Sequence, residues 1–244
     1  MIFGYPGRTD RYLSSWGVQQ AIDLYNPTVV KIRDQKLAVL RKYMESDPAL
    51  NILMASNYAS TANYWKYYIG QTEQLKNNKV FDKKRDLEKQ FEAWIAQSPE
   101  RQAKYGESLK LMAEYYDATN ASVVNNVFLM EGIVRGPSSA LFAYRMGRTL
   151  ERAVKDRDML KKSIAGIEEM ARENFAEFHA GVDRDLMIAL WKLYMNDIPK
   201  AQQPKFLQDM NGDASALEAF ANDAYENSIY MDAKRFAAFL ENPD

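Results

Sequence analysis

The stretch Asn57-Tyr58-Ala59-Ser60-Thr61-Ala62-Asn63-Tyr64-Trp65-Lys66-Tyr67-Tyr68-Ile69-Gly70 contains no proline, and no glycine before its last position. Ten residues upstream, Asp47-Pro48 supplies an N-cap residue followed by proline at the first helical position, where its missing N–H has no intrahelical partner to lose. Together these predict one long helix from residue 48 through residue 70, ending near Asn78. The composition is odd for a helix, because Asn, Tyr, Trp, Ser and Thr are mediocre helix formers. Something other than propensity put them there. On a helix, Tyr64 and Tyr68 share one face, and Trp65 and Ile69 the adjacent one. One reading is a packing stripe that buries rings and keeps polar tips wet. Asn63 fits that reading less well, since a mid-helix amide offers a carbonyl acceptor and an N–H donor, and beside aromatics the carbonyl is suited to receive an ammonium group.

Outward from this stretch, helix signals follow one another with short breaks. Ser15 is placed to cap a first helix through Tyr25. Asn26-Pro27 repeats the cap-plus-proline signal and predicts a new helix to about Glu45, and Ser98-Pro99 predicts another. Residues 82–97 carry Leu87, Phe91, Trp94 and Ile95 at helical spacing. An apolar helix is expected over 120–134, a break at Gly136-Pro137-Ser138, and a helix from Ser138 or Ser139. A helix over 157–180 should end at Gly181. Asp183 then caps the next, 186–195, and two short helices over 214–225 and 231–241 finish the chain. The expected fold is all-α: an irregular domain of about ten helices with no fixed repeat period. The exception is Ile2-Phe3-Gly4-Tyr5-Pro6-Gly7, which reads as a strand end and a turn with no partner strand in this chain.

Composition narrows the chemistry. The chain has 244 residues, 47% hydrophobic and 27% charged, which suits a folded globular protein. With 32 basic and 33 acidic residues, its net charge of -1 gives no reason to expect nucleic acid or an anionic membrane as partner. No apolar run approaches the roughly 18 residues of a membrane span, and Met1-Ile2-Phe3-Gly4-Tyr5-Pro6 lacks the basic and apolar regions of a secretory signal. Cysteine is absent, which removes disulfides, thiol catalysis and thiolate metal sites.

The single histidine, His179, lacks the partners of a metal or catalytic motif: Phe175 and Ala176 stand four and three residues before it. It is expected near a helix C-terminus, where a positive charge suits the dipole. There is no Gly-x-Ser-x-Gly and no glycine-rich phosphate loop, and acidic pairs such as Glu168-Glu169 and Asp183-Asp185 are scattered. No catalytic residue, metal site or cofactor is expected in this chain.

Two segments carry a resemblance. Gly4-Tyr5-Pro6-Gly7-Arg8-Thr9 with Arg11-Tyr12, and Ala62-Asn63-Tyr64-Trp65-Lys66, resemble the bacterial serine dipeptidyl-peptidases of peptidase family 46; the helix order and Asp183-Arg184-Asp185 are similar as well. That resemblance implies a chymotrypsin-like double β-barrel bearing a Ser-His-Asp triad, with a large helical domain inserted to cap its cleft. It implies removal of dipeptides from peptide N-termini in the periplasm or at the cell surface, and it is compatible with a homodimeric parent. Residues 1–12 would then be a remnant of the barrel and linker, and 13–244 the helical cap. Met1 is read as a cut within a longer protein.

In that family an asparagine of the cap helps bind the substrate's free α-amino group. The match on Asn-Tyr-Trp-Lys places this role on Asn63, with Asn57, in a similar Asn-Tyr pair, as the fallback. The triad histidine and aspartate lie upstream of the matching segment and the serine downstream. His179 does not match the triad histidine, so the segment alone is expected to be inactive. Its partners would be the peptide N-terminus and the catalytic barrel, whose contacts would set the side-chain preference. The face that meets the barrel should expose an apolar or aromatic patch. The alternative is a free-standing helical module whose aromatic stretch binds a peptide or protein.

Overall fold

The computed structural model of the chain describes residues 12–241, apart from the side chains at 153, 154, 157, 159 and 160. The strand expected within residues 2–5, and all of the 1–12 segment except Tyr12, lie outside the described residues. Every regular element among the described residues is helical, as expected. Twelve α-helices follow in order: α1 Ser15–Gln20, α2 Asn26–Ser46, α3 Pro48–Asn77, α4 Val80–Ile95, α5 Pro99–Tyr105, α6 Ser108–Val127, α7 Ser138–Lys155, α8 Arg157–Ala176, α9 Ala180–Asp197, α10 Lys205–Met210, α11 Ala214–Asn227 and α12 Ala233–Glu241. Two π-helical turns, Ala21–Tyr25 and Phe128–Val134, extend α1 into α2 and prolong α6.

All three cap-plus-proline signals fall where helices start, and at two of them the side chain caps the helix. Asp47 Oδ1 accepts from the Ala49 N–H at 2.7 Å before α3, and Ser98 Oγ accepts from the Arg101 N–H at 3.4 Å before α5. At the third the side chain does not. Asn26-Pro27 lies inside one continuous helical path, because the π turn widens the backbone just before the proline and the Asn26 N–H bonds the Ala21 carbonyl five residues back. The wider turn absorbs a ring that would clash with the fourth preceding carbonyl of a regular α-helix. The Asn26 amide is fully buried and donates to Gln71 Oε1 and Thr72 Oγ1, both at 3.0 Å. The first cap is Ser14, not Ser15, through the Gly17 N–H at 3.3 Å.

The chain divides into two units, residues 1–28 with 66–124, and residues 29–65 with 125–244. In the first, α1 lies against α4. Glu88 is buried, and accepts from the Ser15 N–H and Oγ at 2.7 Å each and from Arg85 at 3.1 Å. Gly17 is needed for close packing: a Cβ there would stand 2.5 Å from the Tyr116 hydroxyl and 2.6 Å from Leu13.

In the second unit α9 is the most buried helix, with Val182, Leu186, Met187, Leu190, Trp191 and Tyr194 all inaccessible or nearly so. One apolar cluster joins Leu40 of α2, Met54 of α3 and Val182 and Leu186 of α9. Another joins Phe142, Met146 and Leu150 of α7, Ile167 and Ala171 of α8, and Phe236 and Leu240 of α12.

Asp183 corrects another expectation. It does not cap α9 but lies within it, 4% exposed, and caps α7 instead. Its Oδ1 accepts from the Ser138 N–H at 2.5 Å and Oγ at 2.8 Å; its Oδ2 accepts from the Ser139 N–H at 3.1 Å, from Ser139 Oγ, and from Tyr225 Oη at 2.6 Å. Burial, and then the charge of Asp183, push the Tyr225 hydroxyl far above the usual phenol range. Asp183→Asn presents an amide to a shell of donors. Urea unfolding of this variant is expected to show a loss on the order of 3 kcal/mol.

Candidate functional site

Met54 and Thr61 of α3 are buried, and Tyr58, Trp65, Tyr68 and Thr72 half-buried, at alternating spacings of three and four residues. That is a helix face turned toward its neighbours. The opposite face carries Ser56, Ala59, Ser60, Asn63, Lys66 and Tyr67, all exposed. The aromatics therefore divide between the two faces. Tyr58, Trp65 and Tyr68 bury their rings in part, as a packing stripe should, whereas Tyr64 and Tyr67 remain about half exposed at 49% and 52%. Tyr67 Oη accepts from Gln71 Nε2 at 2.9 Å.

Asn63 and Asn57 are both exposed, but six residues of helix rotate them roughly 120° apart, so they do not serve one site. Asn57 Oδ1 accepts from Thr61 Oγ1 at 3.3 Å, and its side chain lines a cleft with Lys36, Arg135, Glu173, Asn174 and His179. Asn63 has no side-chain hydrogen bond among the described residues. Its neighbour Tyr64 is held: the Arg33 guanidinium lies 5.2 Å from the ring centroid and pairs with Glu131 at 2.6 Å. One turn earlier are the small side chains Ala59 and Ser60, which leave the amide open to an incoming group.

His179 is not near a helix C-terminus. Helix α8 ends at Ala176, and His179 is the N-cap of α9, its Nδ1 accepting from the Val182 N–H at 3.2 Å. Nδ1 thus serves as the acceptor that caps α9. Gly181, expected as a terminator, sits inside the first turn of α9, where a Cβ would press to 3.3 Å from the His179 ring. The Tyr43 hydroxyl donates to Asp185 Oδ2 at 2.8 Å and lies 3.1 Å from the Gly181 carbonyl. Ser138 and Ser139 are committed to Asp183, and among the described residues neither hydrogen-bonds an imidazole. Among the described residues no group of three or more His, Cys, Asp and Glu side chains is placed to hold a metal ion, and no helix is long and apolar enough to cross a membrane.

The chain is thus an irregular all-α protein that displays an uncommitted amide and aromatic rings on one long helix. Comparison with known proteins gives it a family. The sequence profile of the Peptidase S46 family matches residues 1–244. Dipeptidyl-peptidase 7 of Capnocytophaga gingivalis is 32% identical over 254 aligned positions, which take in 100% of this chain and 34% of that protein. The Asp/Glu-specific dipeptidyl-peptidase of Flavobacterium psychrophilum is 31% identical, over 98% of this chain and 33% of that protein. A crystal structure of Porphyromonas endodontalis DPP11 in complex with dipeptide Arg-Glu superposes with a TM-score of 0.77 at 23% identity, covering 99% of this chain and 34% of that one. The chain belongs to the peptidase S46 family, and it spans about a third of the length of the relatives it matches.

The N-cap assignment of His179 predicts that His179→Ala lowers stability by about 1 kcal/mol in chemical unfolding, while His179→Asn, whose carbonyl also caps, recovers most of the loss.

Proposed function

We propose that this chain is the α-helical cap of a serine-type dipeptidyl peptidase, and that Asn63 helps hold the α-ammonium group of the peptide substrate. The observation that carries this reading is the state of Asn63. Its amide is exposed on a straight helix, open on the side of Ala59 and Ser60, and committed to no side-chain partner among the described residues. The family membership supports the peptidase activity, and the names of the relatives support dipeptides as the product. The partial span supports a division of labour in which the serine, histidine and aspartate of the reaction belong to a barrel beyond this segment. Substrate and barrel are then its two partners, met in the periplasm or at the cell surface.

An amine anchor works as a ruler. With the ammonium fixed at one distance from the nucleophile, only the second peptide bond lies within reach, and cleavage releases two residues. The exposed apolar residues of the cap fit a docking role: α6 leaves Leu111, Met112 and Tyr115 exposed within two turns, and α4 leaves Leu87 and Trp94.

In the full-length enzyme Asn63→Ala is expected to lower kcat/KM by roughly 10- to 100-fold, mostly through KM, as the loss of one hydrogen bond to a charged group. Asn57→Ala should leave kcat/KM within about twofold, as expected for an exposed surface substitution. Unchanged kinetics for Asn63→Ala, or a loss that falls on Asn57→Ala instead, removes the role from Asn63.

A further inference from the structure

The second unit contains a cleft of about 270 Å³ that the ruler function does not use. Its lining includes Lys36 of α2, Asn57 of α3, Glu173 and Asn174 of α8, Glu177 just beyond α8, and His179 and Asp183 at the start of α9.

The donors and acceptors are distributed unevenly. The Asn174 Nδ2 is fully buried and has no acceptor, and a buried amide left unpaired in this way costs about 1–3 kcal/mol. Lys36 makes no ion pair or hydrogen bond among the described residues. Burial, and then the positive charge of Arg33, lower its pKa, against the opposing pull of Glu131 and Asp183. Asp183 is already saturated by Ser138, Ser139 and Tyr225, and Glu131 by Arg33 at 2.6 Å. Lys36 and Asn174 are therefore two donors in the lining, one cationic, with no acceptor of their own, since the Asp183 carboxylate beside them is taken up by other donors. At the rim the reverse holds, since Glu173 and Glu177 are both exposed and neither takes part in an ion pair among the described residues. Glu173 lies in the last turn of α8 and Glu177 just beyond its end, and both line the cleft.

We propose that this cleft binds a small zwitterion with a free carboxylate and a free ammonium, a dipeptide or a single amino acid, its carboxylate on Lys36 and Asn174 and its ammonium on Glu173 and Glu177. The carboxylate supplies the acceptor that the half-buried Lys36 and the Asn174 amide both lack, through charge-assisted bonds in a partly desolvated place. The ammonium compensates two like charges at the rim. A cleft of about 270 Å³ has room for a ligand of that size. This inference stands on the second unit alone and does not depend on the peptidase reading.

The test is calorimetric and NMR titration of the full chain with glycylglycine, against acetate, which keeps only the carboxylate, and glycinamide, which keeps only the ammonium. Glycylglycine is expected to saturate one site at least tenfold more tightly than either fragment. Lys36→Met should weaken it at least tenfold and Glu173→Gln by a smaller factor, both variants unfolding in urea as cooperatively as the parent chain. Asn174→Leu is the second donor-side variant, should Lys36→Met fail to fold. Absence of saturation by glycylglycine, or saturation unchanged by Asn174→Leu and Lys36→Met, overturns the proposal. So does acetate binding as tightly as glycylglycine, since the ammonium contacts would then contribute nothing.

Discussion

The carboxylate of Asp183 is the interaction on which the second unit depends. Removing a charge from water is expensive, and the penalty is offset only when its lone pairs are filled with good geometry. Here no lysine or arginine is in contact with it among the described residues. Two serine hydroxyls, a tyrosine hydroxyl and the first two N–H groups of α7 do the work. Those N–H groups would otherwise be orphans, and they carry the positive end of the helix dipole. One side chain therefore sets where α7 begins, ties it to α9 and holds Tyr225 of α11 against both. The turn before α7 conforms to the same demand: Gly136 approaches Leu190 of α9 and the Gly132 carbonyl so closely that a Cβ has no room.

Much of this architecture is legible in the sequence, and the failures share a cause. Asp47-Pro48 and Ser98-Pro99 start helices because the rule they obey is local. Asn26-Pro27 opens α2 but caps nothing, since the Asn26 amide is claimed by Gln71 and Thr72, about 45 positions further on. Asp183 was legible as a cap, but not as the cap of a helix that begins 45 residues before it. Around His179 two local rules conflicted. Glycine is a good helix terminator, and histidine suits a helix C-terminus. The chain instead uses the imidazole as an N-cap and the glycine to make room for it. Each miss occurs where a side chain is committed to a distant partner.

The candidate site shows the same division. Period and composition suffice to place residues 57–70 on a helix, and to show that two asparagines with different surroundings stand on it. They do not say which faces solvent uncommitted. That needed the packing register of α3, which turns Met54, Tyr58, Thr61 and Trp65 inward and leaves Asn63 on the far side. The role of Asn63 came from a family resemblance, and a five-residue match contains no chemistry by itself. The cleft around Lys36 and Asn174 had no sequence signal at all. Its residues are drawn from positions 36 to 186, and only the fold makes them neighbours.

The two faces of α3 are linked through Arg33. Its guanidinium is mostly buried, pairs with Glu131 and covers the ring of Tyr64, the residue immediately after Asn63. Tyr64 is thus held from the inside of the unit although its ring is half exposed, and the backbone that carries Asn63 is held with it. A helix already allows little freedom at Cα, and the stacked ring removes more by fixing the roll of α3 about its own axis. For an amine anchor this is the property that matters. Distinguishing the second peptide bond from the first or third requires the amide to be placed to well within the length of one residue, and that placement has to be preorganised by the scaffold. An asparagine on a loop would bind an ammonium as well, but would measure nothing.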